Sequence, residues 1–193
     1  MQAHGDFRQL KLAVKLMEFG YSPNKVLLDL QQDDTHFDFR QIAILDFQGK
    51  AAVHTGPHTR AWSGEIVGPQ HVVTGNVLAS DGVLQAMSRA FLDSGHAELE
   101  DRLLLAVEAG RDAGGQPEGQ TSCALTVYER HAFPIVNLRV DVAWEPVGEM
   151  RKIFNWFKPL IPYYIARTLD PTSVNPKKAF LEERGLPINP FAS

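Results

Sequence analysis

The sequence predicts an α+β fold in which helices cover antiparallel sheet. Two helical patterns, four short strands, two helices, two strands and one further helix follow one another along the chain. That order differs from the regular alternation of strand and helix that builds a parallel sheet. Short glycine-containing turns between consecutive strands also favour hairpins, and hairpins pair their strands antiparallel.

The chain length and composition are those of an ordinary globular domain. It has 193 residues, of which 44% are apolar and 22% are charged. The net charge of -4, without a Lys/Arg cluster, disfavours nonspecific nucleic-acid binding. The apolar runs are too short for a membrane span, and residues 1–20 lack the apolar core of a signal peptide. We therefore expect a cytoplasmic protein with no nucleic-acid or membrane partner and no cofactor.

Two amphipathic helices are predicted before the strands. Apolar residues at helical spacing predict the first over residues 6–19, and Gly20 is well placed to end it. Ser22 is a suitable N-cap for the second, with Pro23 in its first turn.

Four strands are predicted at residues 39–46, 49–56, 64–68 and 71–79. The first carries apolar residues on both sides of the pleat from Ile42 to Leu45, which predicts that both of its faces are covered. After the strands, Ser80 is predicted to cap a helix that ends at Gly95, and a further helix is predicted at 97–112.

The last third of the chain combines a strand pair, a helix and a proline-rich tail. Strands are predicted at 122–128 and 135–140, and Pro146 is predicted to open a helix. We expect one domain over residues 1–157 and an extension over 158–193 that wraps the domain or a partner with short helical turns. The tail includes six prolines and four aromatic residues: Pro159, Pro162, Pro171, Pro176, Pro187, Pro190, Tyr163, Tyr164, Phe180 and Phe191.

A series of short motifs, taken in order, resembles the domain of unknown function 1028 family over roughly residues 2–157. They are Arg-Gln at 40–41, Gly-Lys-Ala-Ala-Val-His-Thr-Gly at 49–56, Trp-Ser-Gly at 62–64, Gly-Asn-Val-Leu-Ala at 75–79, Arg-Leu-Leu at 102–104, Ala-Gly at 109–110, Ala-Gly-Gly at 113–115, Ser122 and Leu-Arg-Val-Asp at 138–141. The resemblance implies an αββα sandwich like that of the N-terminal-nucleophile hydrolases, with two antiparallel sheets between helical layers.

The resemblance also implies that typical members begin about forty residues upstream of Gln2, with a Thr-Phe-Ser type strand. In that mechanism the first residue attacks a carbonyl and its own α-amine serves as the base. Here Met1 is followed by Gln2, which normally prevents removal of the initiator Met. A misplaced start codon, a truncated or split member, and a paralogue without catalysis are the three explanations. Under each of these three explanations, we expect the nucleophile and two strands of the fold to be missing from this chain.

Four residues are candidates for a pocket. Asn76 is predicted to donate to an oxyanion, or alternatively to be a turn residue that bonds its own backbone. Arg40 and Arg139 are predicted to bind a substrate carboxylate, with a structural ion pair as the alternative, for example between Arg139 and Asp141. His54 is a further candidate for the cleft.

No metal site is predicted. His54 and His58 have the spacing of two ligands on one helical face, but Gly56 and Pro57 between them indicate a turn. The leading hypothesis, which the family resemblance implies, is hydrolysis of a small amide or acylated amino compound. The alternative is a noncatalytic binding or assembly module that retains the pocket. Because missing strands leave a sheet edge to be covered, we expect a homodimer or a donated strand.

Overall fold

The computed structural model describes residues 1–189, which form helices and three small antiparallel sheets. The chain divides into two compact units, Met1–Gly119 and Gln120–Ser193. The helix before residue 158 and the helices after it thus belong to the same unit. Pro190 and Phe191 of the expected extension lie outside the described residues. No helix within residues 1–189 is long and apolar enough to cross a membrane.

The first unit contains two small sheets and four helices. The elements are β1 Gln2–Ala3, α1 Phe7–Glu18, α2 Pro23–Asp33, β2 Arg40–Leu45, β3 Ala51–Thr55, β4 Gly64–Gly68, β5 His71–Gly75, α3 Gly82–Asp93 and α4 Leu99–Asp112. One sheet has the order β1-β2-β3, and the other is the β4-β5 hairpin, all antiparallel. Each predicted strand and helix has a counterpart here, but β5 ends at Gly75 and not at the predicted residue 79, and the two-residue strand β1 was not predicted.

The helix starts show where local sequence determines structure. The Ser22 side chain accepts a hydrogen bond from the Lys25 backbone N–H at 3.4 Å, so the predicted cap of α2 is confirmed. The prediction that Ser80 caps α3 is wrong. Asp81 precedes that helix without a side-chain cap, and Ser80 contributes its backbone carbonyl to the Val83 N–H at 3.4 Å.

The two faces of β2 differ in burial. Ile42 and Ile44 are buried in one core cluster with Val26 and Leu30 of α2. Alternate side chains of a strand face opposite sides, so Gln41, Ala43 and Leu45 share the other face. On that face Gln41 is buried, whereas Ala43 is exposed and Leu45 is 44% exposed. The prediction that both faces are covered is therefore wrong at Ala43 and Leu45.

The packing of the remaining elements explains this difference. The helix α2 packs on β2 and β3, β2 contacts β5, and α3 packs on β4 and β5. The helix α4 packs mainly on α3. Gln41 bonds to Gly64 and Gly75 of the β4-β5 hairpin, whereas Leu45 at the other end of β2 remains 44% exposed.

The second unit is a hairpin with helices. Its elements are β6 Cys123–Tyr128, β7 Pro134–Val140, α5 Pro146–Phe157, α6 Ile161–Leu169 and α7 Lys177–Glu183. Pro146 opens α5 as predicted, and α5 packs on both strands. The tail is more helical than the expected extended wrap, because Pro162 lies in the first turn of α6, where no N–H is required. Tyr163 of α6 is buried and contacts Phe180.

Candidate functional site

A buried amide on β2 connects the two sheets of the first unit. Gln41 is 1% exposed, and its Nε2 lies 3.0 Å from Thr55 Oγ1, 3.1 Å from the Gly64 carbonyl and 2.9 Å from the Gly75 carbonyl. The side chain thus bonds to β3, β4 and β5 at once. A buried amide is stable in a core when its polar atoms are paired in this way.

Asn76 follows β5 directly and is oriented by Gln41. Its amide nitrogen donates to Gln41 Oε1 at 3.2 Å. The amide has a second hydrogen, and no acceptor for it is found within residues 1–189. The next residue, Val77, has φ 56°, an uncommon conformation for a β-branched residue. Asn76 is thus a half-buried, oriented amide donor beside a residue in a sparsely populated backbone conformation.

Two further polar groups extend this site toward solvent. Thr55 Oγ1 accepts from Gln41 and donates to the Glu65 carboxylate. Glu65 is exposed, so the chain of hydrogen bonds runs from the buried amide to the surface. We refer to Gln41, Thr55, Glu65 and Asn76 as the polar junction.

Arg40 precedes Gln41 but lies in a different set of contacts. Its Nε donates to Asp34 Oδ2 at 2.8 Å, and its Nη1 donates to the His4 carbonyl. The Arg40 and Asp34 side chains are 12% and 6% exposed. The hydrogen bond from Arg40 lowers the pKa of the Asp34 carboxyl, and the same bond raises the pKa of Arg40. Arg40 is thus held by groups of this chain.

His54 on β3 is also engaged within the first unit. Its Nε2 lies 3.1 Å from the Phe37 carbonyl, and its ring stacks on the Phe37 ring at a centroid distance of 3.9 Å. Within residues 1–189, no group of three or more His, Cys, Asp or Glu side chains is arranged to hold a metal ion.

Arg139 is on β7, in the second unit. Its Nη2 lies 2.5 Å from Asp141 Oδ1, and the two side chains are 68% and 70% exposed. The hydrogen bond that Arg139 donates to the Asp141 carboxylate raises the pKa of Arg139. Arg139 and Asp141 thus form an exposed ion pair at the end of β7, which is the alternative that the sequence left open.

An apolar opening of the first unit lies beside β5. It is a groove of about 440 Å³. Helices α3 and α4 contribute Met87, Phe91, Leu99, Leu103, Ala106 and Val107, and the opposite side is formed by Gln2, Leu45 and residues 70–74. We call it the α4 groove.

The sequence singled out Asn76, Arg40 and His54, and the structure places only Asn76 in the polar junction. Gln41 was not predicted as a site residue. The available signal was one polar residue within the apolar strand 41–45, because a buried amide must find partners.

Comparisons with known proteins agree on one family. The model of a family of unknown function, DUF1028, matches residues 2–150. A solved protein from Silicibacter pomeroyi, described by the same family model, is 28% identical and superposes with a TM-score of 0.68. The match covers 75% of this chain and 64% of that chain, so this chain spans less than two thirds of the solved relative. No curated protein matches. The chain therefore belongs to the family of unknown function DUF1028.

Proposed function

We propose that this chain provides the scaffold and the oxyanion donor of an amidohydrolase of the N-terminal-nucleophile type, acting on a small amide or acylated amino compound. The observation that carries this proposal is Asn76, whose amide is oriented by Gln41 and followed by the strained Val77. A donor fixed before the reaction stabilises a developing oxyanion without reorganisation. No residue within 1–189 is assigned as the nucleophile.

The packing order of the first unit supports the same proposal. In the first unit α2 packs on the β1-β2-β3 sheet, this sheet contacts the β4-β5 hairpin, and the hairpin packs on α3. This order of layers is compatible with the αββα sandwich that the family resemblance implies. In this interpretation the polar junction lies between the two sheet layers. The α4 groove is then the place where further strands complete the second sheet.

The other predicted site residues receive different roles. Arg139 is proposed as a carboxylate anchor, because its guanidinium is largely exposed and its partner Asp141 is exposed as well. Arg40 and His54 are proposed as positioning residues, since Asp34 and the Phe37 carbonyl already hold them.

A noncatalytic binding or assembly module is the second candidate function. The α4 groove favours it, because an apolar opening of about 440 Å³ lies in the size range of ligand sites. A homodimer formed through the uncovered sheet is part of this alternative.

The hydrolase proposal is tested on protein expressed from its native locus with the upstream DNA included. Intact mass and N-terminal sequencing are followed by assays with small amides and N-acyl amino acids. The proposal predicts an N-terminal Thr, Ser or Cys, and a loss of about 10²–10³-fold in kcat for Asn76→Ala. The exposed Asn24 on α2 supplies the matched control, Asn24→Ala, which is expected to keep its activity. A native chain that starts at Met1, or hydrolysis that is unchanged in Asn76→Ala, would overturn the proposal.

A further inference from the structure

A polar pocket of the second unit lies between α6 and α7. It has a volume of about 340 Å³, which is at the lower end of the range for small-molecule sites. It is lined by Tyr163 and Arg167 of α6, Lys177 of α7, and Asn175 and apolar residues of the connecting loop. Within residues 1–189, no acidic side chain lines this pocket, so both of its charged residues are cations. We call it the α6-α7 pocket.

The two cations of this pocket keep an uncompensated charge. The Lys177 ammonium lies 5.0 Å from the centroid of the Trp156 ring and 5.6 Å from that of Tyr164. Aromatic faces attract an ammonium through their quadrupole, but they carry no net charge that would neutralise it. Neither Lys177 nor Arg167 forms an ion pair within residues 1–189. The pocket therefore has two positive charges in a chain whose net charge is -4.

The nearby carboxylates are engaged by other groups. Asp170, directly after α6, accepts hydrogen bonds from the Thr172 backbone N–H at 2.9 Å and from Thr172 Oγ1 at 2.6 Å. Glu183 of α7 accepts from Asn175 Nδ2 at 3.1 Å, and its second oxygen lies 3.8 Å from Arg184 Nη1. Neither carboxylate lines the pocket. Their hydrogen bonds instead fix the loop that forms one wall of it.

Tyr163 is an independent indication that the pocket takes a polar ligand. It is 4% exposed, and its ring contacts those of Tyr164 and Phe180. Its hydroxyl has no hydrogen-bond partner within residues 1–189, but it is not among the polar atoms that are sealed from solvent. Because Tyr163 lines the pocket and is otherwise buried, the hydroxyl is open to the pocket. An acceptor on a ligand would give this donor the partner that the protein does not provide.

We propose that the α6-α7 pocket binds a small dianionic molecule, which is a phosphate ester or a dicarboxylate. Arg167 and Lys177 compensate its two charges, and the Tyr163 hydroxyl donates to one of its oxygens. Charged donors form stronger hydrogen bonds with oxyanions than neutral donors do, and a monoanion would leave one of the two cations uncompensated. The apolar residues of the loop can contact a short carbon skeleton. This inference is independent of the proposed hydrolysis, because the pocket lies within the second unit.

The probes are glycerol 3-phosphate, a phosphate ester, and succinate, a dicarboxylate. Each is titrated at constant ionic strength in slightly alkaline buffer, where both are dianions, and NMR follows the Asn175 side-chain amide and the Lys177 backbone amide. We expect saturable shifts with at least one of them. Acetate, a monoanion, is expected to bind about tenfold more weakly, because it loses one charge-assisted hydrogen bond. Tighter binding of glycerol 3-phosphate would identify a phosphate ester as the ligand, and tighter binding of succinate would identify a dicarboxylate.

The matched variants Lys177→Gln and Lys178→Gln each remove one positive charge from neighbouring positions of α7. Lys178 does not line the pocket, and its Nζ lies 3.8 Å from Glu182. Lys177→Gln is expected to weaken binding of the dianion about tenfold, and Lys178→Gln by less than about twofold. Arg167→Gln is expected to weaken it as Lys177→Gln does. Its control is Arg130→Gln, which removes the charge of an exposed arginine of the same unit outside the pocket.

Tyr163→Phe separates ligand binding from a structural role of the hydroxyl. The substitution keeps the buried ring and removes a group that has no partner within residues 1–189. We expect the dianion to bind about threefold to tenfold more weakly, with an unchanged melting temperature. A lower melting temperature with unchanged binding would assign the hydroxyl to the fold and would contradict its role in the pocket.

Three further results would overturn the proposal. Shifts that are absent or do not saturate with either dianion would show that the pocket has no affinity for this class of molecule. Equal affinity for acetate would remove the requirement for two charges. Equal losses in Lys177→Gln and Lys178→Gln would indicate attraction to the charge of the surface without binding in the pocket.

Discussion

Gln41 is the residue on which the contact between the two sheets of the first unit depends most. Its amide bonds to Thr55, Gly64, Gly75 and Asn76 from a position that is 1% exposed. We predict that Gln41→Leu lowers the free energy of unfolding by about 2–4 kcal/mol, because several polar groups lose a partner together. Urea unfolding measures this change. The control, Gln48→Leu in an exposed turn, is expected within about 0.5 kcal/mol of the wild type, and a similarly small effect at Gln41 would contradict the account.

The Asp34–Arg40 pair makes stability depend on pH. Arg40 lowers the pKa of the folded Asp34 carboxyl below its unfolded value, so the stabilisation is present above that unfolded value of about 3.9 and is lost as the pH falls through the folded pKa. We predict that Asp34→Asn costs about 1–3 kcal/mol at pH 7. The difference from the wild type should shrink in acid below about pH 4, as measured by urea unfolding at several pH values. Asp33→Asn, the exposed neighbour, should show no such loss, and a difference for Asp34→Asn that does not vary with pH would be inconsistent with this role.

The sequence predicts single residues well where the reason is local. Asn76 was predicted as an oxyanion donor, and it lies directly after β5, which ends at Gly75. Gln41 was not assigned a role, because its partners Gly64 and Gly75 are brought to it by tertiary packing. Arg40 and His54 were predicted as pocket residues, but the groups that hold them, Asp34 and the Phe37 carbonyl, were not foreseen.

At the scale of elements, the two serine caps give a direct comparison. The Ser22 side chain accepts a hydrogen bond from the Lys25 N–H at the start of α2. The start of α3, close to Ser80, has no such side-chain cap. We predict that Ser22→Ala lowers the free energy of unfolding by about 1 kcal/mol. Ser80→Ala is expected to change it by less than about 0.5 kcal/mol. Thermal unfolding of the two variants measures both, and equal losses would mean that the caps are misassigned.

The hairpins and most helices could be predicted because their signals lie within a few residues. The turn at Asp46–Gly49 and the loop at Pro69–Gln70 join strands that pair as the sequence indicated. The helical tail was underestimated, because prolines in first turns and prolines in extended chain look alike in sequence. The uncovered face of β2 was not predicted for a different reason. An apolar run in the sequence indicates which residues favour burial, but it does not show whether another element of the fold covers them.

At the scale of the whole chain, the most distinctive feature is the open side of the first unit. An α+β fold was predicted from element order and is present. The exposed Leu45, the unpaired edge of β5 and the α4 groove lie together, because both small sheets end there. Such an edge is usually covered in proteins, which is why we propose a strand as its occupant.

The most direct test is amide hydrogen exchange of the chain alone, resolved at Val72 and Val73. The Val73 N–H bonds to Ile66 of β4, and the Val72 N–H points into the α4 groove. We predict that Val72 exchanges at least tenfold faster than Val73 in the isolated chain. Equal and slow exchange at both positions, independent of protein concentration, would contradict the claim that β5 presents an open edge.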